Sequence, residues 1–75
     1  MHFVSWLWEQ MDYQDATSRF AKLCWDYVNN GCALPTFSAH QWQNHFDKKH
    51  KNSKDKLNAM LLKALDEYTL FMKDK

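Results

Sequence analysis

KDKLNAMLLKALDEYTLFM, residues 54–72, decides the fold. Its apolar positions, Leu57, Met60, Leu61, Ala64, Leu65, Tyr68, Phe71 and Met72, recur at three- and four-residue steps. A turn of 3.6 residues gathers them into one stripe. Lys56, Lys63, Asp66 and Glu67 fall opposite, so the stretch predicts a long amphipathic helix on which the rest of the chain packs. In the polar run before it, 50–53, Asn52 or Ser53 has the chemistry of a helix cap.

Working outward, Ser38 is placed to cap a shorter helix over 39–49, in which Trp42 and Phe46 lie one turn apart. Before it, Pro35 biases Leu34 toward an extended backbone, marking 30–37 as the main connection. The segment 16–29 turns Phe20, Cys24, Tyr27 and Val28 to one side, with Asp15 or Thr17 as its cap and Gly31 as a left-handed stop. The first segment, 2–11, carries two stripes: Phe3, Trp6, Leu7 and Gln10 on one, Val4, Trp8 and Met11 on the other. The expectation is an all-α, compact four-helix bundle with helices at about 2–11, 16–29, 39–49 and 54–72. Its core is Phe3, Leu7, Phe20, Trp42, Phe46, Leu61 and Tyr68.

Composition narrows this further. A chain of 75 residues fits one domain, 1–75, because two cores would be starved of apolar surface. One glycine and one proline are too few for the turns an all-β chain needs. A net charge of +1 lacks the strong basic excess of a protein built mainly to hold a phosphate backbone. No run resembles a signal peptide, and no apolar run approaches the ~20 residues of a membrane span. With only Cys24 and Cys32, a reduced, cytoplasmic setting is the expectation.

Twelve of the 75 residues are Phe, Trp or Tyr. A domain this small encloses only about 60% of the surface its unfolded chain exposes, so some of Trp6, Trp8, Trp25 and Trp42 stay near the outside. Val4, Trp8, Met11 and Trp25 occupy second stripes, and Trp is enriched where proteins bind one another. The leading expectation is therefore a non-enzymatic interaction module binding a protein partner, or a second copy of itself. Trp8, Met11 and Trp25 are its apolar anchors, and Glu9, Asp12 and Asp15 its acidic rim. The plainer reading leaves these rings as core.

Phe3-x-x-Trp6-Leu7-x-x-Gln10, then Phe20-Ala21 after an acidic turn, a loop proline and a terminal Ala64-x-x-x-Tyr68, resembles the YozE SAM-like family of short bacterial proteins. The likeness covers nearly the whole chain. It implies a bundle similar to a sterile alpha motif domain and a protein- or nucleic-acid-binding role without catalysis. Two departures stand out: Ala16-Thr17-Ser18 replaces a usual glycine, and Asn29-Asn30-Gly31-Cys32 lengthens the loop before Pro35. They suit a diverged phage or mobile-element relative, which raises an inhibitor of a host protein complex as a further alternative.

Lysines provide the main alternative. Lys48, Lys49, Lys51, Lys54 and Lys56 concentrate half of the Lys and Arg residues around one loop and helix start. Amide N–H groups at a helix start attract phosphate, and Gln43 or Asn44 have amides suited to adenine. The rival reading is a solvated loop. A helix-turn-helix is disfavoured, because roughly seven residues between the second and third helices exceed the motif's 3–4-residue turn.

His40, His45 and His50 recur every five residues. Each step rotates an imidazole by roughly 140° on a helix, so the three are expected to diverge and hold no metal. Cys24, one turn from Phe20 and Val28, reads as core. Cys32 beside His40 or His45 lacks an orienting third group for nucleophilic chemistry. No cofactor, metal or catalytic residue is assigned.

Overall fold

A computed structural model describes residues 2–50 and 52–73. Among them are four α-helices: α1 Phe3–Glu9, α2 Ala16–Asn29, α3 Ala39–Lys49 and α4 Lys54–Lys73. No strand occurs among the described residues. The chain is an all-α four-helix bundle.

Local chemistry sets the boundaries. Asp15, not Thr17, caps α2, its carboxylate accepting the Ser18 N–H at 2.8 Å. Ser38 and Gln41 form a reciprocal capping box at the start of α3. At the end of α2, Gly31 takes φ +75°, while its N–H bonds the Val28 carbonyl and Cys32 N–H bonds that of Tyr27 at 2.9 Å. These paired bonds close the last turn around a left-handed residue, a conformation that a side chain makes costly.

α1 is shorter than the expected 2–11. It yields to a single 3₁₀ turn at Gln10–Asp12. The buried Ser18 hydroxyl explains the tightening: it donates to the Met11 and Tyr13 carbonyls and draws the chain back onto α2. Side-chain hydrogen bonding here competes with helix continuation. Thr17, also buried, donates to the Glu67 carboxylate and ties α2 to α4.

α4 packs against all three other helices. Its 20 residues make about 30 Å of helix, close to the longest dimension of the molecule, 35 Å. Leu57, Leu61 and Ala64 enter the core. Met72, assigned to the inner stripe, is exposed instead. Phe3, Leu7, Phe20, Trp42, Phe46 and Leu61 are buried as expected; Tyr68 is half-buried, its ring edge-on to Phe3.

Candidate functional site

The four indoles divide into two pairs. Trp6 and Trp42 are 4% and 0% exposed. Trp6 lies between Phe3 and the α4 rings Tyr68 and Phe71, with centroids 5.5–6.3 Å away. Trp8 and Trp25 are only half-buried, and they meet edge-to-face at 5.1 Å and 71°. Such geometry places a positive ring edge on a negative ring face.

Trp8 is fixed from below and from the side. Its ring contacts buried Trp42 at 6.4 Å, and its indole N–H donates to the Pro35 carbonyl at 2.9 Å. Leu34, next to Pro35, is 60% exposed. Leu34 is thus an exposed apolar residue of the loop whose Pro35 carbonyl holds Trp8. Met11, one turn on from Trp8, is half-buried and packs on the core.

Glu9 and Asp12 are exposed beside this surface. Asp15 is exposed as well, but its carboxylate is engaged as the α2 cap. Val4, half-buried on α1, borders a separate cleft of about 410 Å³ with Phe3, Thr36 and Ala39. Leu34 was not anticipated. Its position next to a loop proline was the available signal.

The lysines gather at a corner. Lys48 and Lys49 end α3, Lys54 and Lys56 begin α4, and all four are exposed. Lys51 lies outside the described residues. Asn44 and Lys48 stand one turn apart on α3. Gln43 departs from that face: it lines a groove of about 210 Å³ between α3 and α4, beside His40, Asn58 and Leu62. Leu62 is 63% exposed.

The histidines require a correction. His40 is exposed, but His45 and His50 converge, their Nε2 atoms 3.3 Å apart. The rotation argument fails because α3 ends at Lys49 and His50 leaves the helix with φ −132°, ψ 53°. The Tyr27 ring is tilted against both imidazoles, with centroids 5.4 and 4.8 Å away. Burial first, then the neighbouring His50 and Lys49 charges, hold the pKa of His45 below the usual histidine value. Cys32 opens with both histidines onto one cavity of about 430 Å³.

Cys24 is buried, and burial pushes its thiol up to about 12, whereas Cys32 is exposed and free. Among the described residues, no group of three or more His, Cys, Asp or Glu side chains could hold a metal ion. No described helix is long and apolar enough to cross a membrane. No family model, curated protein or solved structure matches the chain.

Proposed function

We propose that the protein is a non-enzymatic docking module, similar to a sterile alpha motif domain, that binds a protein partner through the surface centred on Trp8 and Trp25. The observation that carries this reading is the rigid tryptophan pair itself. Two indoles meet at 5.1 Å on the outside of the bundle, one of them pinned to Pro35 and backed by a fully buried third. A surface ordered before binding loses little side-chain freedom on contact, and aromatic anchors of this kind concentrate binding energy.

Met11, one turn along from Trp8, extends the apolar area, and Glu9 and Asp12 provide the negative edge that orients the partner. The matching ligand is a protein surface with an apolar side chain flanked by lysine or arginine. A cytoplasmic setting suits the free, exposed Cys32 thiol. A resident adaptor and a phage-encoded inhibitor would use the same surface in the same way.

The test is capture of the partner with wild-type protein and with Trp25→Ala, both checked for equal melting temperature. The docking reading expects capture to fall at least about tenfold, the loss of one strong anchor. Equal capture would refute it.

A second reading rests on the corner where Lys48, Lys49, Lys54 and Lys56 are exposed around one helix junction. Those lysines would hold nucleic-acid phosphates, with Asn44 nearest to them and Gln43 turned into the groove. Phosphate binding weakens steeply with salt, whereas apolar docking does not. Unchanged DNA retention at low salt after alanine replacement of Lys48, Lys49 and Lys54 would remove this reading.

A further inference from the structure

The outer face of α4 has a pattern that neither the tryptophan surface nor the lysine corner draws on. We propose that this face pairs with the same face of a second copy of the chain, the two α4 helices lying antiparallel about a two-fold axis between Ala64 and Leu65.

The exposed residues define the strip. Asp55, Ala59, Leu62, Asp66, Leu70 and Lys73 are all exposed. At 3.6 residues per turn they fall, together with exposed Lys63, in a band about 100° wide along the helix. Leu62 and Leu70 are 63% and 61% exposed. These two open leucines stand about 12 Å apart along α4, and contact with another molecule would remove both from water.

The charges choose the occupant and its direction. In an antiparallel pair centred between Ala64 and Leu65, Lys63 comes opposite the second copy's Asp66, and Asp66 opposite its Lys63, so opposite charges meet on both sides of the axis. Asp55 comes within one residue of the second copy's Lys73, on the same rim of the contact. Leu70 lies over the second copy's Ala59, a large side chain against a small one. Each match occurs twice, as a two-fold requires. A parallel pair in register would instead set Lys63 against Lys63 and Asp66 against Asp66, and such like-charge contacts repel. Lys56, one residue on from Asp55 and so about 100° around the helix, lies on the other rim from Lys73.

The rest of the bundle leaves this strip to an outside partner. Glu67, the acid one turn beyond Lys63, is half-buried and accepts the Thr17 hydroxyl. Glu67 thus serves the joint between α2 and α4, whereas Asp66 faces out. The strip also shares no residue with the tryptophan surface, so a pair carries two such surfaces, and a partner with repeated sites would gain from their linkage.

The test uses the full chain in sedimentation over a dilution series. Wild type should pass from 9.1 kDa toward twice that mass as concentration rises. Leu70→Glu should weaken pairing at least about tenfold, the loss of an apolar anchor, with helix content and melting showing that this exposed position leaves the fold intact. Asp66→Lys should weaken it as well, and adding Lys63→Asp should restore it. Direction is read by oxidation in a Cys32→Ser background. There, Ala59→Cys and Leu70→Cys proteins should crosslink when mixed, and neither should crosslink alone, because two copies of one position stand about 16 Å apart along the axis. A wild type that is monomeric at every concentration, or pairing indifferent to Leu70→Glu, would overturn the proposal. Crosslinking of either cysteine variant with itself would overturn the antiparallel arrangement.

Discussion

Trp6 and Trp8 sit two residues apart on the same seven-residue helix and end in different environments. Trp6 faces α4, whose Tyr68 and Phe71 close over it. Trp8 faces α2 and the loop after it, where Trp25 and the Pro35 carbonyl meet it without covering it. The rings are chemically identical. What differs is the covering: α4 rings close over Trp6 on one flank, while on the other Trp8 is met by Trp25 of α2, Trp42 of α3 and the loop between those helices and stays half-buried. Exposed aromatic surface here is a consequence of topology, and the proposed function makes use of it.

Substitution should widen that contrast. Trp42→Ala empties the fully buried centre beneath Trp8 and should cost roughly 3–5 kcal/mol, an amount that unfolds many domains of this size. Trp25→Ala, removing a half-exposed ring, should cost less than about 1.5 kcal/mol of stability. Denaturant unfolding of the two variants measures both. If they lose equal stability, the division between core and surface indoles is wrong.

Next in size is the joint that holds α1 against α2. Asp15→Ala removes the α2 cap and should lower stability by about 1 kcal/mol. Ser18→Ala should cost a similar amount, about 1 kcal/mol for the lost hydroxyl bonds. Amide exchange at Met11 to Tyr13 should accelerate in both, since those residues depend on this joint. Unaltered exchange in Ser18→Ala would show that the 3₁₀ turn stands without it.

Acidification probes the opposite end. A histidine whose folded pKa is lowered binds fewer protons folded than unfolded, so stability is complete above the unfolded value near 6.5 and falls as pH drops below it. The melting temperature should decline between pH 7 and 5, and less so in His45→Gln after allowance for its altered baseline. An identical decline in both proteins would place the effect elsewhere.

The smallest expected effect concerns thiols. Cys32 should react with a thiol reagent in native protein at pH 8, and Cys24, raised to about 12 and buried, should react only after unfolding. Two equally fast thiols would mean that α2 opens readily around Cys24.

Much of this architecture is legible in residue order because it is locally encoded. Ser38 with Gln41, Asp15 before α2 and Gly31 after it each mark a boundary through a short-range hydrogen bond or backbone preference. The 57–71 stripe likewise identifies α4. The contrast between Trp6 and Trp8 is different, since it depends on which flank a helix some sixty residues later covers, and periodicity on α1 holds no such information. His45 and His50 converge against expectation for a related reason: the rotation of a continuous helix no longer applies once α3 stops between them. Leu62 and Leu70 fall outside the inner stripe of α4, and both are exposed.

The central claim, that the Trp8–Trp25 surface is where a partner docks, meets its most direct test in one binding isotherm. The captured partner is titrated against wild type, Trp25→Ala, and a variant with Lys48, Lys49, Lys54 and Lys56 replaced by alanine, at low and high salt. The account predicts that Trp25→Ala weakens binding at least about tenfold at both salts while the lysine variant binds like wild type. Binding that survives Trp25→Ala and disappears with the lysines would contradict it.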